Sequence, residues 1–176
     1  MECALDGGAT LIQLREKDRT TREYIHLAYK VHSIARRYNV PLIVDDRVDV
    51  ALAVGTEGVH VGQTDMPVSI ARKLMGPDRI VGATTKTVTQ AVEAYEQGAD
   101  YLGVGAIYPT TTKVKTVLTT TDTLRDICAA VPIPVNAIGG LNKTNLDVLT
   151  GIPIAGICVV SVSYTHLRAH ETSLHL

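Results

Sequence analysis

The sequence contains no tryptophan and no phenylalanine; its aromatic side chains are seven tyrosines. That leaves too little for a stacking platform on single-stranded nucleic acid. Charge of one sign is also lacking: 17 Lys and Arg stand against 18 Asp and Glu, a formal net charge of −1. The electrostatic footprint of a nucleic-acid or membrane-surface binder is therefore excluded. Apolar runs stop short of the roughly 18–20 residues that span a bilayer. The opening residues MECALDGGA have neither the basic start nor the long apolar stretch of a signal peptide. Cys3, Cys128 and Cys158 are odd in number, widely spaced and without a CxxC pair. They read as reduced thiols of a cytoplasmic protein. The triplet Asn142-Lys143-Thr144 fits the glycosylation pattern, but without secretion it carries no meaning.

What the sequence does have is rhythm. Its 176 residues, 45% hydrophobic and 20% charged, suffice for one domain with a sizeable core. Short β-branched runs predict strands at 10–17, 41–46, 58–63, 80–85, 101–108, 134–140 and 156–161. Helical spacing fills the gaps. In 21–38, Tyr24, Leu27, Ala28, Val31, Ile34 and Ala35 recur every three or four positions. Shorter helices are expected over 47–54, 67–75, 87–97, 120–130 and 142–150. Strands that alternate with helices and look mostly apolar on both faces predict a parallel sheet covered by helices. An open nucleotide-binding sheet would typically show G-x-G-x-x-G after its first strand, and none stands there.

A closed barrel makes a prediction that an open sheet does not: polar residues at the C-terminal tip of one strand after another. The run TLIQLREK shows the pattern. Gln13, Arg15 and Lys17 share one face of a strand whose lower part is apolar. The next tips carry Asp45 and Asp46, Gln63 and Asp65, Thr84 and Thr85, Thr110 to Lys113, Gly139 and Gly140, and Ser161. The expected fold is an α/β (β/α)8 TIM barrel. Only seven strands are counted, and MECALDGGA reads as the end of a helix stopped by glycine. The barrel is thus expected to lack its first strand. After Ser161 the rhythm stops, and three of the six histidines fall within the last eleven residues. His166 and His170 are spaced i, i+4, but nothing nearby in sequence supplies a third metal ligand.

Two kinds of anion site suggest themselves. Gly140, with Val160 and Ser161, offers backbone N–H groups where barrels often bind phosphate, although Gly139-Gly140 could equally be a tight turn. Thr110, Thr111, Thr112 and Lys113 could wrap an oxyanion, or form a solvated turn. Asp46 and Asp65, on neighbouring tips, could share a hard cation such as Mg2+; helix N-capping is the alternative role. Two anion sites without a Ser–His–Asp or Cys–His set argue for transfer with a diphosphate leaving group, through positioning and charge stabilisation.

The motifs QLREK, DDR, GVHVGQTDM, GADYLGVGAIYPTTTK, NAIGG and VVS, in this order and spacing, resemble the thiamine-phosphate synthase family from about residue 4 to Ser161. The resemblance implies an enzyme that joins a hydroxymethylpyrimidine diphosphate to a thiazole phosphate, giving thiamine phosphate and diphosphate. In that family Mg2+ and basic residues draw off the diphosphate, and the thiazole nitrogen captures the pyrimidine methylene cation. Gln13, Arg15 and Lys17 match the segment that holds the pyrimidine diphosphate, with Arg15, Lys17 and Lys113 as the catalytic cations. Asp46 and Asp65 match the Mg2+ ligands, and Thr84 falls where a serine contacts the pyrimidine. Thr110, Thr111 and Thr112 match the thiazole phosphate loop; Gly140, Val160 and Ser161 match its cradle. Asp45 stands where the family usually has asparagine, and Lys86 where histidine is common.

The resemblance further implies one domain over 1–161, without its first strand and closing helix, followed by a foreign-looking tail over 162–176. Partners are expected to be small-molecule substrates, with no nucleic acid and no membrane; a homo-oligomer is compatible with the sequence. The rival readings are a thiazole tautomerase-like barrel, which needs neither diphosphate nor Mg2+, and a chain too incomplete to hold its site together.

Overall fold

A computed structural model describes residues 1–109 and 117–160. These residues hold seven strands: β1 (Ile12–Leu14), β2 (Leu42–Asp45), β3 (Gly58–Val61), β4 (Ile80–Thr85), β5 (Tyr101–Gly105), β6 (Val135–Ile138) and β7 (Gly156–Cys158). Each pairs in parallel with its sequence neighbour, so sheet order equals chain order. The described residues form a curled part-barrel, seven parallel strands in the order of a (β/α)8 arrangement. Among the described residues β1 and β7 are edges.

Among the described residues six α-helices run between and before the strands: α1 (Glu2–Asp6), α2 (Thr21–Arg37), α3 (Val48–Val54), α4 (Val68–Met75), α5 (Val88–Glu96) and α6 (Thr121–Ala130). The longest shows why they form. Thr20 accepts from the Glu23 N–H while Glu23 accepts from the Thr20 N–H, a reciprocal cap. Arg36 and Arg37 sit in the last turn, where cations complement the helix dipole. Its buried stripe is Tyr24, Ala28, His32 and Ala35. Thr87 and Thr120 cap α5 and α6 by accepting from the N–H groups of Gln90 and Thr123. Among the described residues no helix is long and apolar enough to cross a membrane.

The helix expected over 142–150 is reduced to a 3-10 turn, Leu146–Leu149. Asparagine chemistry explains it. Asn145 Oδ1 accepts from the Asn142 N–H at 2.8 Å, and Asn142 Oδ1 accepts from the Thr144 N–H at 2.9 Å. These local bonds compete with the helical ladder. β1 is also shorter than the run 10–17. The Leu14 carbonyl accepts from the buried Tyr24 hydroxyl at 2.8 Å, so α2 takes over where the ladder ends.

Register separates the two faces of the sheet. Leu42, Val44, Val59, Val61, Val81, Ala83, Leu102, Val104, Val135 and Ala137 all lie under the helices and are buried. The opposite, concave face carries Gln13, Asp45, His60, Thr84, Tyr101 and Asn136, interleaved with glycines and with Ile43, Ile80 and Ile138. The expectation of strands apolar on both faces is corrected here: only the helix side is uniformly apolar.

Candidate active site

The carboxyl ends of β1 to β4 bring together most of the charged residues singled out in the sequence. Gln13 donates through Nε2 to Asp45 Oδ1 at 2.9 Å, and Arg15 Nε lies 3.2 Å from Asp45 Oδ2. One carboxylate thus orients the amide and the guanidinium. Lys17 Nζ lies 3.2 Å from Asp46 Oδ2, with its side chain half exposed. Both cations remain within reach of an incoming anion. Asp45, unusual for the family by sequence, is an anchor for its neighbours on β1.

Asp46 has φ of 63°, a left-handed conformation that ordinary side chains rarely adopt. Two bonds hold it there. Its N–H donates to the His60 carbonyl at 2.8 Å, and the next N–H, of Arg47, donates to the Asp45 carbonyl at 2.8 Å. Strain of this kind, about 1–3 kcal/mol, persists where surrounding structure over-determines it, often at functional sites. Asp65 is brought to Asp46 by the loop after β3: its Oδ2 accepts from the Gly62 N–H at 2.8 Å. A Cβ on Gly62 would stand 2.7 Å from that oxygen, so the approach needs glycine. Burial, then a hydrogen bond shared with Asp46 and its charge, push the Asp65 carboxyl above the usual range, against the pull of Gly62 and Lys17. Neither aspartate caps a helix: no side chain caps α3 or α4.

Thr84 stands at the tip of β4. Its hydroxyl is 2.8 Å from His60 Nε2, and its carbonyl accepts from Gln63 Nε2 at 2.8 Å. His60 Nδ1 in turn meets the Tyr101 hydroxyl at 2.9 Å. His60 and Tyr101 are not among the residues the sequence pointed to. A faint signal existed: His60 alternates with valines in GVHV, placing it on the face that also carries the strand-tip residues.

Across the mouth, Gly139 and Gly140 both have positive φ, 98° and 66°. A Cβ on Gly140 would lie 2.7 Å from Tyr108 Cβ and 2.8 Å from the Pro109 carbonyl oxygen. The turn therefore requires glycine whatever it binds. Its peptides are fixed: the Gly139 carbonyl accepts from the Tyr108 N–H at 3.0 Å, and the Gly140 carbonyl from Asn145 Nδ2 at 2.9 Å. Val160, past the end of β7, is exposed. Thr110, Thr111, Thr112, Lys113 and Ser161 lie outside the described residues, as do His166 and His170.

Comparison with known proteins places this geometry. A family model described as thiamine monophosphate synthase matches residues 1–162. Thiamine-phosphate synthase 2 of Streptococcus pneumoniae is 54% identical over 160 residues, 91% of this chain and 76% of that protein. Thiamine-phosphate synthase of Enterococcus faecalis is 52% identical over 161 residues, 92% of this chain and 76% of that protein. Among solved structures, thiamine phosphate pyrophosphorylase from Pyrococcus furiosus superposes with a TM-score of 0.85 at 40% identity, covering 96% of this chain and 81% of that one. A 3-hexulose-6-phosphate synthase, TM-score 0.65 at 13% identity, covers 97% of this chain and 90% of that one and shows the fold alone.

Proposed function

The chain belongs to the thiamine monophosphate synthase family, an enzyme family of thiamine biosynthesis, and from that premise we propose how its residues divide the work of forming thiamine phosphate. The pyrimidine diphosphate lies over the tips of β1 to β4, its phosphates toward Arg15 and Lys17 and its ring toward Gln13 and Thr84. The thiazole phosphate lies opposite, on Thr110 to Thr112, Gly140, Val160 and Ser161. Lys113 reaches the diphosphate from that side. The observation that carries the reading is the layered charge at the first three tips: two cations held by two adjacent aspartates, with a third carboxylate alongside.

Asp46 and Asp65 suit a hard divalent cation. They are two oxygen donors in contact, one of them holding its proton more tightly than usual. These residues would hold Mg2+, its remaining positions filled by water and phosphate oxygens. When bound, the cation neutralises charge on the departing diphosphate. The chain's own part is electrostatic and geometric. Arg15, Lys17 and Lys113 stabilise the negative charge that builds as the methylene carbon–oxygen bond breaks. The thiazole nitrogen then forms the new bond to that carbon, giving thiamine phosphate and free diphosphate. Lys17 is paired with Asp46 in the free protein, so a cation at Asp46 and Asp65 would leave its ammonium for the diphosphate.

The test is turnover by the purified chain with pyrimidine diphosphate, thiazole phosphate and Mg2+, following thiamine phosphate and diphosphate together. Both products should form in equal amounts and be lost in Asp46→Ala and Lys113→Ala. Thiamine phosphate production without any response to Asp46→Ala would sink the metal assignment. A folded chain that releases no diphosphate, even with the remaining family elements restored, would overturn the transferase reading.

A further inference from the structure

Three side chains on the concave face form a line, Tyr101, His60 and Thr84, of which the division of labour above uses only Thr84. The Tyr101 hydroxyl is 2.9 Å from His60 Nδ1, and His60 Nε2 is 2.8 Å from Thr84 Oγ1. Space for the two rings is built into the backbone. A Cβ on Gly82 would stand 2.2 Å from the Tyr101 ring and 2.5 Å from His60 Nδ1. His60 is buried, and Thr84 stands at the C-terminal tip of its strand, partly exposed.

The proton positions follow from counting. Burial raises the Tyr101 hydroxyl's affinity for its proton, so it stays a phenol. That proton needs an acceptor. Among the described residues, the partner of the hydroxyl is His60 Nδ1. If Nδ1 carried the imidazole proton, it would itself donate to the hydroxyl, and the phenol proton would find no partner among the described residues. Tyr101 therefore donates to Nδ1, and the imidazole proton sits on Nε2. It points at Thr84 Oγ1 and occupies a lone pair there. The hydroxyl proton of Thr84 must then turn away from His60, toward the mouth. An unassisted threonine hydroxyl can rotate to donate or accept; this one is set as a donor.

We propose that Tyr101 and His60 are positioning residues that polarise Thr84 as a hydrogen-bond donor to a ring nitrogen of the aminopyrimidine, and so select it over pyrimidines protonated at that nitrogen. The proposal rests on the reading that the pyrimidine lies over Thr84. A ring nitrogen beside an amino group is a bare acceptor and meets the donor. In a 4-oxo pyrimidine that nitrogen carries a proton, and two donors would face each other across a desolvated contact.

Two independent readouts test it. The first needs no substrate: nitrogen-15 NMR of histidine-labelled chain should show His60 as the Nε2–H tautomer, and Tyr101→Phe should mix the tautomers. The second is kinetic. Tyr101→Phe and Thr84→Val should each raise KM for the pyrimidine diphosphate by about tenfold, the worth of one hydrogen bond. KM for the thiazole phosphate should not move. The double variant should be no worse than Thr84→Val, because Tyr101 acts through Thr84. Preference for the amino over the 4-oxo pyrimidine diphosphate should shrink in Tyr101→Phe. An Nδ1–H tautomer would overturn the relay even in an active enzyme. So would additive losses in the double variant, or equal changes in both KM values. If the wild-type tautomer is Nε2–H but calorimetry detects no binding of pyrimidine diphosphate, the placement of the substrate is what fails.

Discussion

The two faces of the same sheet are built on opposite principles. Toward the helices, β2 to β6 present valine, leucine and alanine, closely packed against small residues such as Ala28, Ala51 and Ala71. Toward the barrel axis the same strands present Asp45, His60, Thr84, Tyr101 and Asn136, with glycines and Ile43, Ile80 and Ile138 between them. One face gains stability by burying apolar area. The other gives up part of that gain to hold polar groups in fixed directions. The difference teaches where stability and activity can be separated, since neighbouring residues on one strand serve one or the other.

The largest effect that would sharpen this contrast is Leu102→Ala on the helix side. It should cost about 2–5 kcal/mol of stability, read by denaturant unfolding, while kcat/KM per folded molecule holds. Gly82→Ala, on the barrel side of the neighbouring strand, should do the reverse. Its methyl would displace Tyr101 and His60, lowering kcat/KM about 10²-fold through misplacement and costing less stability than Leu102→Ala. Equal losses of stability with no loss of activity would break the comparison.

Smaller effects concern charge. The Asp65 carboxyl sits above its ordinary range in the folded chain. Its ionisation therefore opposes folding, a penalty absent below the ordinary carboxylate range and growing as pH rises through it. Without divalent cations at neutral pH, Asp65→Asn should melt roughly 1–3 °C higher, solvent screening keeping the gain small, and should lose activity. A lower melting temperature would contradict this. Glu57 is the helix-side counterpart. Burial pushes its carboxyl up, but hydrogen bonds from His32 and the Leu42 N–H outweigh that and hold it below the ordinary range. Its contribution is present above the ordinary carboxylate pKa and disappears as pH falls through the depressed one. Glu57→Gln should thus flatten the acid side of the stability profile with activity intact.

How far the sequence carries depends on distance along the chain. The seven strands are legible because β-branched runs and turn residues are local signals, and α2 because its buried stripe repeats within seventeen residues. Asp45 and Asp46 stand out as charges ending an apolar run. The pairing of Arg15 with Asp45 and of Lys17 with Asp46 is not written locally; it follows from the register Leu14 with Val44. His60 was hidden by its flanking valines, since its two partners come from β4 and β5. The turn over 142–150 misled because asparagine hydrogen bonds, invisible to periodicity, outcompeted the helix.

Strand order that repeats chain order also bears on how the molecule is made. The nearest paired positions are Ile43 with Gly58 and the farthest Leu102 with Val135. Each strand therefore finds its partner in the segment just synthesised, and no pairing seen here waits for the distant end of the chain. Short loop closures cost little entropy, and a sheet of this kind can grow unit by unit as it leaves the ribosome. Arg15, Asp45, Asp65 and Thr84 would then be gathered before β6 and the Gly139-Gly140 turn exist.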